Sequence, residues 1–298
     1  MNQPKATLLK HAAMQTLILL GFAIYISYLS LSGHINYYIA PRMQSYVELS
    51  AAVLFLMAAY HGYHTYRKLR GLPSSAHSHH EPPRSAPARG ALNSLFLFPV
   101  LLGFLVPDSF LGSSLAAKKG LNLAGSIHSR QTPITLSSSV KVSGASLAKL
   151  FPSDKYTGEY AKLGMKLYQK DHIQVKDQGY VEILTALQLY PGNFGSKPID
   201  ISGFVYREPS MKPNQFVIAR FNIQCCTADA MPLGVLVEMN GGDQLKTDSW
   251  VHLSGKLGET SYGGNQVLKL DAEKAQPISA PDNVYVQPSL DFSFEDQL

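Results

Sequence analysis

Three long apolar runs open the chain, two of them without a charge, and the patterning then changes twice. Residues Ala12 to Leu31 are twenty consecutive positions without a charge, and twenty residues of helix rise about 30 Å, the thickness of a bilayer's hydrocarbon core. A second run covers Ser45 to Tyr63, and a third covers Ala91 to Pro107 with Pro99 inside it. A proline kinks a membrane helix without forbidding it. The pattern therefore predicts three transmembrane spans (12–31, 45–63, 91–107) within a membrane region of residues 1–110. Residues 111–150 are rich in Ser, Gly, Ala and Lys with little periodicity, and read as a connector. Helical spacing returns at 151–195, with one helix predicted from Asp154 to Gln169 and another from Tyr180 to Tyr190, stopped by Pro191-Gly192.

Beyond Lys197 the period falls to two. Strands are predicted at Ile199–Tyr206, Phe216–Ile223, Gly234–Met239, Trp250–Leu257 and Asn265–Leu270. Five strands in so short a stretch suit a small closed barrel, with mid-strand Gly203 and Gly255 at tight bends or bulges. The expected fold class is thus a membrane-anchored α+β protein: three helices, a short helical segment, and an OB-like five-stranded β-barrel at 196–280, followed by a tail at 281–298.

Charge changes the picture by its distribution. The chain has 26 Lys+Arg and 21 Asp+Glu, only 16% charged residues, against roughly 25% in ordinary soluble domains. Residues 1–107 hold eight of the bases and two of the acids, so the remainder is close to neutral. No basic stripe speaks for nucleic acid. Seven of the eight early bases fall in the N-terminus and the 64–90 loop, which places both on the cytoplasmic side and the C-terminal domain outside the cell, anchored in the bilayer of the plasma membrane.

Candidate chemistry is sparse. No hydrolase elbow, zincin helix, P-loop or dinucleotide fingerprint occurs, and the expectation is a protein without enzymatic activity. The two cysteines, Cys225 and Cys226, are adjacent; on a strand their side chains would face opposite ways. They read either as core filler or as a soft-metal or redox site with Asp229 or His252 beside them; a strained vicinal disulfide is the third option. In the 64–90 loop, His77, His79 and His80 could collect Zn²⁺ or another transition ion, with His61 and His64 at the end of span two; the surrounding Ser, Pro and Arg equally fit a plain linker. Glu48 is the acidic residue at membrane depth, where ionisable groups mark pathways, helix contacts or the interface. Small residues in spans one and two, Ala51 and Ala58 among them, fit close packing against a partner's helices.

These features occur together with Ala117-Lys118-Lys119-Gly120, Gly203-Phe204-Val205-Tyr206 and the block Arg220-Phe221-Asn222-Ile223-Gln224-Cys225-Cys226-Thr227-Ala228-Asp229. The whole outline resembles the YcgQ-type permease-subunit family, bacterial membrane proteins without an established activity. The resemblance implies a partnership with a separate multi-span permease. It carries Arg220, Cys226 and Asp229 over as motif positions of unassigned role, and supplies no cofactor. The leading expectation is an accessory membrane subunit, with a metal relation held open. The alternatives are an autonomous extracytoplasmic protein binding a metal or an envelope ligand, and a thiol redox protein.

Overall fold

The computed structural model describes residues 5–70, 85–121, 123, 144–289, 292 and 294. It divides into two compact units, Met1–Ser109 and Phe110–Leu298. The histidine run at 77–80 lies outside the described residues.

The first unit holds three helices long and apolar enough to cross a membrane: α1 (Lys5–Ser32), α2 (Pro41–Leu69) and α3 (Ala86–Leu105). Proline at the first turn starts α2, and Ser85 caps α3 by accepting from the Ala88 amide. Pro99 sits inside α3. α1 packs on both partners, and small residues make this possible. A β-carbon on Gly21 would come 3.2 Å from Val100, and one on Gly103 would strike the Tyr25 ring at 2.5 Å. Ala51 and Ala58 are buried here. The expectation that they face a partner's helix is corrected: the unit's own packing uses them.

The second unit contains α4 (Ser113–Lys119), α5 (Gly144–Leu150), α6 (Gly158–Gln169) and α7 (Tyr180–Leu189) around a mixed sheet. Its strands are β1 (Ile173–Val175), β2 (Pro198–Tyr206), β3 (Gln215–Asn222), β4 (Met231–Glu238), β5 (Trp250–Tyr262), β6 (Asn265–Pro277) and β7 (Tyr285–Val286). The two central helices and five long strands fall where the periodicity placed them. The sheet has seven strands in the order β1-β2-β5-β6-β4-β3-β7, not five. β1 and β7, three and two residues long, are too short to show a period. They flank the sheet in parallel, β1 on β2 and β7 on β3. β2 also pairs with β3, with Val205 opposite Ile218, and β4 lies parallel to β6.

One face of the sheet packs Ile199, Ile201, Phe216, Ile218, Val235, Leu253 and Leu270 together with Leu163, Leu167, Ile183, Leu184 and Leu187 of α6 and α7 in one core. The other face is covered too, since β3 is buried along seven of its eight residues. Phe204 stacks on Phe221 at 5.6 Å between ring centroids, Phe110 meets Trp250 edge-on, and α4 packs on β2 and β4. The described start of the expected connector, residues 111–121, is thus packed on the sheet, while residues 122 and 124–143 of that connector lie outside the described residues. The Ser113 amide donates to Asp248 Oδ1 (2.7 Å), and the Leu111 amide to Tyr285 Oη (3.0 Å). Gly203 has no room for a side chain, because a β-carbon there would stand 2.6 Å from the Ala219 carbonyl oxygen. The bulge expected near Gly255 falls between Ser254 and Gly255.

Candidate functional site

The block from Arg220 to Asp229 runs off the end of β3 into the turn that leads to β4. The strand ends at Asn222 and the chain bends at Gln224 and Cys225. Thr227–Asp229 then forms one turn of 3-10 helix. Asp229 closes the bend: its Oδ1 accepts from the Gln224 amide (2.8 Å) and its Oδ2 from the Cys225 amide (2.7 Å). Aspartate suits this role because its short carboxylate reaches amides of its own turn. Lys119, the last residue of α4, ties down the far side by donating from Nζ to the carbonyls of Ala228 (3.0 Å) and Ala230 (2.6 Å).

The bend brings the two thiols to one side. Cys225 Sγ lies 3.6 Å from Cys226 Sγ, the former exposed and the latter half-buried, and both are free. The expected opposite orientation holds on a strand, and these residues have left it. Hydrogen bonds to the Asp229 carboxylate and to the Cys226 thiol push the Cys225 thiol up to about 11. Partial burial opposes the shift at Asp229, yet the bonds from Cys225 and the loop amides hold its carboxyl below the usual range. A thiol with so high a pKa is a poor nucleophile at neutral pH. His252 is not in this turn; on β5, its Nδ1 meets Ser202 Oγ at 2.8 Å.

Arg220, the other motif residue, is a core residue. It is 1% exposed, and its guanidinium donates to Asp177 Oδ1 (2.6 Å), the Asn283 carbonyl (2.7 Å) and the Val284 carbonyl (3.3 Å). It also lies over the Trp250 and Tyr180 rings, at 5.0 and 5.6 Å from their centroids. Its fork pins the segment entering β7 against the sheet. A second buried polar anchor, Glu182 of α7, went unmarked in the sequence because it falls within a helical pattern. It is 1% exposed and accepts from the Ser289 amide at 2.6 Å, and burial pushes its carboxyl up.

In the first unit, Glu48 accepts a 2.5 Å hydrogen bond from Ser30 of α1 and is exposed on the outside of the helices. Glu48, Ala52, Phe55 and Ala59 share one exposed stripe of α2 by their spacing. Asp108, which no pattern marked, gathers a small polar cluster: it accepts from Tyr38 Oη (2.5 Å) and meets His34 Nδ1 at 2.8 Å. Nearer the other end of α1, His11, Gln15, His61 and Asn93 line a cavity of about 280 Å³ whose remaining walls are apolar. Among the described residues, no three His, Cys, Asp or Glu side chains already form a metal cage.

Three bilayer-length helices and a mixed sheet carrying a motif-bearing turn define a class: a membrane-anchored α+β protein with one substantial domain outside the apolar helices. The chain belongs to the DUF1980 family. The model of the DUF1980 N-terminal domain matches residues 14–122, and that of the DUF1980 C-terminal domain matches residues 150–288. The chain is similar to the UPF0703 protein YcgQ of Bacillus subtilis (strain 168), 28% identical over 288 residues, covering 91% of this chain and 97% of that protein. It is also similar, at 29% identity over 278 residues with the same two coverages, to a protein of Streptococcus mutans serotype c. That protein carries the provisional name of two-component membrane permease complex subunit. The resemblance to YcgQ-type permease subunits read from the sequence is thereby shown.

Proposed function

We propose that this protein is a non-enzymatic accessory subunit of a multi-span permease in the plasma membrane, holding its C-terminal domain on the extracytoplasmic side. The name of the Streptococcus relative supports the partnership. The observation that carries it in this chain is the stripe of Glu48, Ala52, Phe55 and Ala59 on the exposed face of α2. A carboxylate turned outward at membrane depth is costly against lipid, and small side chains beside it let another helix approach. Three helices are too few to enclose a polar path across the bilayer on their own, so the transport path belongs to the partner.

The pairings β2–β3–β4–β6–β5 and back to β2 support an OB-like barrel as the core of the outer domain. The concentration of Lys and Arg at the N-terminus and in the 64–90 loop supports the orientation. The test is co-purification. Ala52→Leu with Ala59→Leu should reduce recovery of the permease in gentle detergent by about tenfold while membrane insertion is unchanged. If the wild-type chain is recovered only with itself, the autonomous binder takes the place of the subunit.

A further inference from the structure

We propose that Cys225 and Cys226 together bind one thiophilic dication of the Zn²⁺ class, as an open two-thiolate site at the tip of the β3–β4 turn. The reading stands independently of the permease partnership. Its first support is distance. Two thiolates on one tetrahedral Zn²⁺, each bonded at about 2.3 Å, stand about 3.8 Å apart. The two sulfurs here lie 3.6 Å apart before any ion is bound. The second support is that the turn is built rather than loose: two amide bonds to Asp229 hold its near side and two Lys119 bonds hold its far side. The third is charge. The Asp229 carboxylate, bonded to the Cys225 amide at 2.7 Å, places a fixed acidic group beside the two sulfurs, and such a group draws a cation to the turn.

Asp229 acts here as a positioning residue. Both its oxygens are occupied by loop amides, so it fixes the bend and supplies field, and the sulfurs do the binding. Two protein ligands leave the remaining positions to water, or to donors of whatever docks there. Cys225 is exposed, so such donors can reach it. An open site of this kind suits receiving and passing on an ion, in contrast to the closed cages of structural zinc. Binding replaces two thiol protons, which leave to the buffer, so affinity rises with pH.

The experiment titrates the full chain, reduced and in detergent under argon, with Co²⁺, a spectroscopic stand-in for Zn²⁺. It uses a His77→Ala/His79→Ala/His80→Ala background that removes the other cluster of donors. The expected result is one Co²⁺ per chain, with thiolate-to-metal charge-transfer absorption that Zn²⁺ abolishes. C225S and C226S should each remove that absorption without shifting the thermal melt, and D229N should weaken binding about tenfold. Because the asparagine can also disturb the bend, the serine variants decide. The proposal is overturned if no charge-transfer band appears, or if the band survives in either serine variant.

Discussion

Removing the Arg220 side chain tests whether this motif residue is structural. Arg220→Met keeps most of the volume and deletes the guanidinium. Its bond to the Val284 carbonyl is buried, and stranding that acceptor costs about 1–3 kcal/mol. The Asn283 carbonyl lies nearer the surface and can recruit water, so its share is about 1 kcal/mol. Asp177 is 55% exposed, and an ion pair open to water at one end contributes at most about 1 kcal/mol. Methionine returns part of this by easing the desolvation of a buried charge. The net expectation is about 3 kcal/mol, which for a domain of this size lowers the melting temperature by roughly 10 °C. The assay is denaturant and thermal unfolding of residues 110–298, with Asp177→Asn alongside. That variant should lose less than about 1 kcal/mol. Limited proteolysis should show the chain around 283–289 cut faster in Arg220→Met, since the fork that pins it is gone. The reasoning is refuted if Arg220→Met melts within about 2 °C of the parent, or if Asp177→Asn destabilises as much as it does.

Other consequences can be checked separately. Burial raises the Glu182 carboxyl, so the folded state holds its proton more tightly than the unfolded one. Stability should therefore fall as pH rises from the unfolded value of about 4.3 through the folded one; Glu182→Gln should flatten that slope in pH-dependent unfolding. With its thiol near pH 11, Cys225 is about one part in ten thousand thiolate at pH 7. In a Cys226→Ser background, where the Asp229 contribution remains, alkylation should still be slow at neutral pH and climb with pH, and Asp229→Ala should speed it at neutral pH. Ala51→Leu, on the buried face of α2, should overpack the helices and cost about 1–3 kcal/mol, lowering the yield of folded protein where Ala52→Leu does not. In a cysteine-free background, single cysteines at Ser78 and Ser279 should label with an impermeant reagent in intact cells only at position 279; labelling at 78 would reverse the orientation.

What could be read in advance follows the length over which a pattern repeats. The three apolar runs and the five long strands each extend over many residues, and each forms at its expected place, α1, α2, α3, β5 and β6 running five to seven residues further at one end. β1 and β7 contain only three and two residues, and what fixes them is pairing with a neighbour far away in the chain. The same holds for α4. Its sequence looks like linker because Ser, Ala and Lys carry no apolar stripe, yet it is held by Asp248 and by the carbonyls of Val205, Ala228 and Ala230. Helix faces were legible as small, but their direction was not. Spacing puts Ala51 and Ala58 on one face of α2 and Ala52 and Ala59 on the next, and only the position of α1 decides which pair is covered.

The motif divides along the strand end. Arg220 lies within β3, where every neighbour is fixed by the ladder, and a buried guanidinium there can only serve the fold. Cys225 and Cys226 lie three and four residues beyond the last strand residue. The alternation that would have sent their side chains apart stops at Asn222, and Asp229 alone supplies the two acceptor atoms that turn the backbone. A residue pattern legible as one block is thus physically two devices: an arginine that clamps the tail segment entering β7 and a dithiol turn steadied by a carboxylate. Lys119 links that turn to the segment leaving the last apolar helix, fourteen residues after Leu105. Any change in charge at the turn therefore acts on carbonyls held by a residue of α4. If the sulfur pair takes up a cation, α4 is the element of the C-terminal unit through which its occupancy would be felt.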